Sequence, residues 1–212
     1  MTIQTNIKIV QYPDLMRYEE TWRAMQTFTE QRTSETVDQI WVLQHFPVYT
    51  LGLATKPEHL PEKTTIPVVQ TDRGGQITYH GEGQLIFYIL MDLSRQGFMV
   101  KTLVSTLEKS VILFLEQLGI FAERKSKAPG IYIKGKKIAS LGLKIKKNCS
   151  YHGLSLNVDM DLSPFNVINP CGYADLEMTS LKKEGIKLNV KEVSQQFIPI
   201  LLEHLGYSNE KY

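Results

Sequence analysis

The segment INPCGY, residues 168–173, holds the side chain best suited to covalent chemistry in this sequence. Cys171 stands between Pro170 and Gly172, which predicts a stiff, sharply turning backbone rather than a helix or strand. A cysteine that only fills a core needs no such setting, because a free thiol packs as a small apolar group. Cys149, at the start of a predicted strand, is interpreted as such a packing residue. Cys171 is therefore the candidate nucleophile.

A thiol becomes a good nucleophile when a nearby cation or base favours the thiolate. Strand alternation over GKKIASLGLKIKK (135–147) predicts that Lys137 shares the apolar face with Ala139 and Leu141, where it could serve a thiol as a base or cationic partner. Alternatively, Lys137 lies at a hairpin end and its ammonium reaches water. His152 has the parity of the leucines that follow it, so it is either a core histidine or the partner of a Cys–His pair. His80 is a second candidate for such a pair, and residue types alone leave a lysine and a histidine partner open.

A glycine-rich segment, DRGGQITYHGEGQ (72–84), is the candidate ligand-binding loop. Glycine allows the main chain to approach a ligand closely, and Arg73, Tyr79, His80 and Gln84 supply polar groups around the glycines. The segment is not a phosphate-binding P-loop, because G-K-[ST] is missing. A glycine-rich hairpin without a ligand is the alternative interpretation.

Both strands and helices are needed to position these segments. Strands are predicted over 7–12, 39–46, 66–71, 84–93 and three runs between 130 and 161; helices are predicted after Asp14, over 100–119, and over 189–206 with a capping box at Asn189 and Glu192. The order β-α-β-β-β-α-β-β-β-α predicts an α/β (α+β) fold with a mixed sheet, in a single domain spanning 1–212.

Bulk composition excludes several classes of protein. An apolar content of 42% supports a large core, and no apolar run is long enough to cross a membrane. No signal peptide is recognised, and two cysteines without an export signal predict reduced thiols in the cytoplasm. No His/Cys cluster has zinc spacing, so no metal is expected.

Positive charge is concentrated between residues 124 and 147. This basic window holds nine Lys or Arg residues and no Asp or Glu, whereas the whole chain has a net charge of +2. The window is either a solvated face or a docking surface for an acidic partner. With Tyr132 as its one aromatic residue, it is a poor surface for stacking bases, so no nucleic acid partner is expected.

Four motifs together are similar to those of the lipoyl(octanoyl) transferase family, the octanoyl-[acyl-carrier-protein]:protein N-octanoyltransferases. They are PVYTLG (47–52), RGGQITYHGEGQL (73–85), KIASLGLKIKKNCSYHGLSLNVDMDLSPF (137–165) and INPCGY (168–173). The resemblance runs in register over most of the chain. The sequence departs from the family at Glu82, where the family usually has proline. We expect this change to alter the stiffness of the loop and not the nucleophile.

The resemblance implies a biotin/lipoate protein ligase-like fold and an acyl transfer that needs no ATP or other cofactor. Octanoate would pass from acyl carrier protein to Cys171 as a thioester, with Lys137 as the paired lysine, and then to a lysine of lipoyl domains. Those domains belong to 2-oxoacid dehydrogenase E2 subunits and the glycine cleavage H protein. The resemblance also implies the residues that line the acyl site: Arg73, Gly74, Gly75, Gln76, Ile77, Thr78, Tyr79, His80, Ser140, Leu141, Gly142, Gly153, Leu154 and Ser155.

Three other functions compete with this one. An ATP-dependent lipoate or biotin ligase on the same fold would form an adenylate and would not need Cys171. A Cys–His hydrolase would depend on His152, and a non-catalytic binder of acyl carriers or lipoyl domains would tolerate loss of the thiol. Chain-length preference and oligomeric state do not follow from the sequence.

Overall fold

The structure, a computed structural model, describes residues 6–56, 63–125, 128–168 and 176–207. It contains three α-helices and ten strands within these ranges. Their bounds are β1 Ile7–Met16, α1 Tyr18–Glu30, β2 Asp38–His45, β3 Val48–Leu51, β4 Val68–Gln70, β5 Thr78–His80, β6 Gln84–Leu90, α2 Val100–Gln117, β7 Glu123–Lys125, β8 Ala128–Ile133, β9 Lys136–Lys146, β10 Cys149–Asn157 and α3 Val190–His204, with a 3₁₀ helix at Ser163–Val167.

Seven strands form one mixed sheet in the order β1-β2-β6-β10-β9-β8-β7. β1 and β2 are parallel, and the other neighbours are antiparallel. A second sheet has the order β4-β3-β5, and the glycine-rich segment between β4 and β5 is attached to β9 by a hydrogen bond from Gly74 N–H to the Leu143 carbonyl. The mixed sheet flanked by helices confirms the predicted fold class.

The central strands bury apolar side chains on both faces, which explains their continuous hydrophobic runs. On β6, Phe87 and Ile89 face the main core with α2 and α3, whereas Ile86 and Tyr88 face the smaller core beneath α1. Both long helices keep an apolar stripe against the sheet, for example Leu103, Leu107, Val111 and Phe114 on α2. No helix among the described residues is long and apolar enough to span a membrane.

The predicted start of the first helix is wrong. Asp14 lies in β1, which continues past a bulge between Gln11 and Leu15 to pair Met16 with His45, so α1 begins only at Tyr18. Pairing with β2 outweighs the local capping signal here. At the other end of the chain the prediction is confirmed, because Asn189 and Glu192 form the capping box of α3 and Gly206 follows it with φ of +81°.

Candidate active site

A narrow cleft of about 60 Å³ opens between the glycine-rich segment and the middle of β9 and β10. Twelve of the fourteen residues that the resemblance implies for the acyl site line this one cleft. They are Arg73, Gly75, Gln76, Ile77, Thr78, His80, Ser140, Leu141, Gly142, Gly153, Leu154 and Ser155. Their common location was predicted, whereas their contact with a substrate stays a prediction.

Two of the predicted residues lie outside the cleft, and four residues that were not predicted line it. Gly74 does not line the cleft but donates its N–H to the carbonyl of Leu143, at 3.0 Å, and so attaches the loop to β9. Tyr79 points away from the cleft into a separate cluster with Tyr49 and Phe165, because side chains alternate along β5. The sequence reasoning missed the contributions of Tyr18, Ile86, Tyr88 and His152 to the cleft.

Arg73 organises the glycine-rich loop from inside. Arg73 is 7% exposed, and its guanidinium donates to the carbonyl oxygens of Thr50 and Gln76, both at 2.7 Å. Gly52 makes this possible, since a Cβ there would lie 2.2 Å from the Gly75 oxygen and 2.9 Å from Arg73 Nη1. The charge of Arg73 is thus used to hold the backbone that forms one wall of the cleft.

Lys137 is 1% exposed, so the interpretation in which its ammonium reaches water is wrong. Its backbone N–H donates to the Glu177 carbonyl at 2.8 Å, and its carbonyl accepts from Thr179 N–H at 2.9 Å. Its Nζ lies 5.4 Å from the centre of the Tyr132 ring, within the range of a cation–π contact. Burial and these contacts give the side chain a fixed environment.

The predicted face of Lys137 is also wrong, because β9 carries a bulge at Ile138. Ile131 of β8 pairs with Ala139, but the next residue, Tyr132, pairs with Lys137. Directly opposite residues share a face of the sheet, and successive residues on β8 alternate. Lys137 therefore lies on the face opposite to Ala139 and away from the main core, on the side where Ser140 lines the cleft.

The candidate nucleophile, Cys171, lies outside the described residues. The other thiol, Cys149, is buried at 7% exposure, and burial raises its pKa. Both observations on Cys149 agree with a packing residue.

A chain of hydrogen bonds determines which nitrogen of His80 carries the proton. Asn157 Nδ2 donates to the Thr179 carbonyl at 2.9 Å, so its Oδ1 accepts from Gln84 Nε2 at 3.0 Å. Gln84 Oε1 must then accept from His80 Nδ1, at 2.7 Å. Burial holds the pKa of His80 well below its usual value, so the ring is neutral and its Nε2 bears a lone pair.

His152 occupies a left-handed backbone conformation, with φ of +58°, in the middle of β10. The ring stacks on Tyr151, with centroids 5.1 Å apart, and Nε2 donates to Asp72 at 2.9 Å. Burial lowers the pKa of His152. Burial by itself would raise the pKa of Asp72, but hydrogen bonds from His152 and Tyr151 bring it below its usual range. Within the described ranges, His152 Nδ1 has no hydrogen-bond partner.

His152 lines the cleft, whereas Lys137 lies beyond the Ser140 end of the cleft and far from His152. His152 is opposite Leu143 on β9, and Leu143 is six residues beyond Lys137, or roughly 20 Å at strand spacing. Asp72, Tyr151, Trp22 and Gln26 surround the His152 end, where the carboxylate also accepts from Trp22 Nε1 at 2.9 Å and Gln26 Nε2 at 3.2 Å. The two ends of the cleft thus carry different polar groups.

Several residues of the basic window have acidic or aromatic neighbours. Lys136 lies 2.6 Å from Glu177, and Lys146 contacts Glu30. Lys125 Nζ lies 4.5 Å from the Tyr132 ring centre. These pairs reduce the net charge that the window offers to a partner. In the ranges covered by the structure, no group of three His, Cys, Asp or Glu side chains could hold a metal ion.

Comparisons with known proteins agree with the fold and the motifs. Residues 17–201 match the model of the lipoyl protein ligase A/B catalytic domain. An octanoyltransferase of Chromobacterium violaceum is 53% identical over 203 residues, covering 96% of this chain and 98% of the relative. An octanoyltransferase of Laribacter hongkongensis is 54% identical over 197 residues, covering 93% and 95%.

Solved structures with the same fold are more distant in sequence. A bi-partite lipoate protein ligase from Thermoplasma acidophilum has a TM-score of 0.70 at 16% identity, covering 98% of this chain and 86% of that one. The biotin protein ligase of Aquifex aeolicus, solved with biotin and ATP, has a TM-score of 0.60 at 16% identity, covering 94% and 70%. The fold is therefore shared with lipoate and biotin protein ligases, but at about 50% identity over nearly its whole length the chain belongs to the octanoyltransferase family.

Proposed function

We propose that this protein transfers an octanoyl group from acyl carrier protein to a lysine of lipoyl domains, as in the first step of lipoate formation. The observation that carries this proposal is the identity of about 50% with octanoyltransferases over nearly the full chain. We further propose that Cys171 is the nucleophile and Lys137 its partner, in a single catalytic domain spanning 1–212.

In the first half-reaction, the Cys171 thiolate attacks the acyl carbonyl and forms a tetrahedral intermediate. The carbon–sulfur bond to the phosphopantetheine arm then breaks, which leaves octanoyl-Cys171 and a free carrier thiol. Lys137 accepts the Cys171 proton, or already holds the thiolate as an ion pair, and its ammonium then gives a proton to the leaving sulfur, so that the lysine is neutral for the second step. One thioester replaces another, so no external energy source is required.

In the second half-reaction, a neutral lysine amine of the acceptor attacks the octanoyl-Cys171 carbonyl. The amide forms, the Cys171 thiolate leaves, and the amine proton passes to Lys137 or to the thiolate. Because an amide is more stable than a thioester, this step runs without ATP or another cofactor. Lys137 is buried, which favours direct transfer of the proton over exchange with solvent.

Chain connectivity supports the pairing of Cys171 with Lys137. Glu177 follows Cys171 by six positions, and its carbonyl accepts the backbone N–H of Lys137. The segment that carries the thiol is thus attached at one end to the strand that carries the lysine. The length of the chain limits Cys171 to at most roughly 20 Å of extended backbone from Glu177, and on this proposal it approaches Lys137.

We expect the acyl chain to enter the cleft from its Ser140 end, which is nearest to Lys137, and to extend toward His152. Ile77, Ile86 and Tyr88 supply apolar surface along it. Each methylene buried there contributes about 0.8 kcal/mol. On this proposal the cleft-lining residues hold the tail, while the carbonyl stays near the bulge of β9.

Acyl carrier protein and lipoyl domains are the proposed partners, and the cytoplasm is the proposed site of the reaction. Both partners are acidic, and the basic window retains lysines such as Lys144 and Lys147 without a described carboxylate within salt-bridge distance. Opposite charges accelerate encounter between such surfaces.

Intact-mass spectrometry tests the proposal. The protein is mixed with octanoyl-acyl carrier protein, without acceptor or ATP, beside Cys171→Ala and Lys137→Ala variants. An octanoyl adduct that hydroxylamine removes, absent from Cys171→Ala and slow to form in Lys137→Ala, is the expected result. Activity that needs ATP and free octanoate would instead identify a ligase like its distant structural relatives.

A further inference from the structure

The end of the Lys137 side chain packs over Gly130 of the neighbouring strand, β8. Tyr132 of β8 is paired directly with Lys137, and Gly130 precedes Tyr132 by two residues. Residues two apart on a strand share a face, so Gly130 and Tyr132 both face the lysine. Tyr132 contacts the ammonium from one side, at 5.4 Å from ring centre to Nζ.

Gly130 leaves the space that this side chain occupies. A Cβ on Gly130 would lie 2.2 Å from Lys137 Cε, 3.0 Å from Nζ and 2.7 Å from the Ala139 carbonyl oxygen. Two non-bonded carbons normally approach no closer than roughly 3.5 Å. Any side chain at this position therefore takes the place of Cε and moves the amine.

Helix α2 fixes the position of Gly130. Its N–H donates to Glu108 Oε1 of α2 at 3.2 Å, and Glu108 is 8% exposed. The second carboxylate oxygen lies 3.7 Å from Arg124 Nη1. The flanking residues on α2, Leu107 and Val111, are fully buried in the main core, so the helix cannot shift without disturbing that core. α2 thus anchors the backbone against which Lys137 packs.

We propose that Gly130 is a positioning residue for Lys137: its missing side chain forms the slot that fixes the amine, and Glu108 holds that slot in place. This inference rests on the proposed function, in which Lys137 acts on the Cys171 thiol. Gly130 itself touches neither substrate nor thiol, and it acts only through the lysine.

The test compares Gly130→Ala with Gly135→Ala in the same β8–β9 hairpin. Gly130 and Gly135 both have positive φ, +135° and +84°, but among the described residues a Cβ on Gly135 would meet only Lys125 Nζ, at 3.9 Å. Both variants place a side chain at positive φ, and contact with Lys137 is specific to the first. Two readouts are the octanoyl-transfer rate and the pH dependence of Cys171 alkylation by iodoacetamide, followed by peptide mass spectrometry to separate it from Cys149.

Gly130→Ala is expected to lower the transfer rate about 10²-fold, as displacement of a reacting group by about 1 Å can do, and to move the alkylation profile toward that of Lys137→Ala. Gly135→Ala keeps the wild-type profile. Adding Gly130→Ala to Lys137→Ala changes neither readout further. A wild-type rate and alkylation profile for folded Gly130→Ala would overturn the proposal.

A second test compares the folding of Gly130→Ala with that of its combination with Lys137→Ala. If Gly130→Ala does not fold but its combination with Lys137→Ala does, contact with the lysine side chain is the cause and the proposal stands. If neither folds, the obstacle is the backbone, through the φ of +135° at Gly130 or the Ala139 carbonyl, and the proposal fails. Loss of activity in Lys137→Ala with normal activity in Gly130→Ala rejects only this inference, whereas full activity in Lys137→Ala rejects the proposed role of the lysine.

Discussion

Acid should destabilise this protein well above the pH at which carboxylates titrate, because of its buried histidines. His45 is fully buried, and burial lowers its pKa to about 4. Its Nδ1 donates to the Met16 carbonyl at 2.9 Å, so the neutral Nε2 accepts from Tyr88 Oη at 2.6 Å. A second proton would break the bond from Tyr88 and place a charge in the apolar interior.

The sign and size of the effect follow from linkage. The unfolded chain takes up a proton at His45 near pH 6.5, whereas the native state does so only near pH 4. Between these values the unfolded state binds more protons, so stability falls as the pH falls. At 1.36 kcal/mol per unit, the loss from His45 is about 2 kcal/mol by pH 5 and about 3 kcal/mol by pH 4. Burial also lowers the pKa of His80 and His152, which adds loss of the same sign.

Urea denaturation at pH 7 and pH 5 measures this loss. The variant His45→Asn with Tyr88→Phe removes the titrating ring, keeps an N–H donor for Met16, and removes the hydroxyl that would lose its acceptor. It is expected to lose about 2 kcal/mol less than the wild type between the two pH values. His204→Gln, at the half-buried end of α3, is the control and should keep the wild-type loss. An equal loss in the double variant and the wild type would refute the reasoning.

Three further changes have defined outcomes. Asn189→Ala removes the side-chain acceptor of Glu192 N–H and should lower the free energy of unfolding by about 1 kcal/mol in urea denaturation. Gln84→Leu leaves His80 Nδ1 without its buried acceptor and should cost at least about 1–3 kcal/mol in the same assay; a smaller loss would show that the hydrogen-bond chain is not required. Lys144→Glu should slow acylation by octanoyl-acyl carrier protein in stopped-flow experiments at low salt, and the difference from wild type should shrink at high salt.

Sequence periodicity predicts the layers of this fold well because hydrophobic burial decides them. The apolar stripe of α2 and the capping box of α3 occur as predicted, and so do the continuous runs of β2 and β6. The short strands β3 and β5 were not predicted. Each has three or four residues, and their pairing depends on Arg73 and the glycine loop, which are distant in sequence from β3.

The predicted face of the sheet is wrong at Lys137 and His152. These are the two polar residues whose strand parity matches that of core residues. Regular alternation would bury a lysine and an imidazole against α2 and α3, at the desolvation cost of polar groups without partners. The bulge at Ile138 avoids this by sending Ile138 into the core and Lys137 to the cleft side.

At His152 the left-handed backbone has the same effect as the bulge, since it turns the ring onto the side of Tyr151 and Asp72. That conformation costs about 1–3 kcal/mol, which the bond to Asp72 and the stacking offset. A polar residue at a core position of a strand therefore indicates an irregular backbone next to it. In this protein both irregularities direct a polar side chain toward the side of the sheet that carries the cleft.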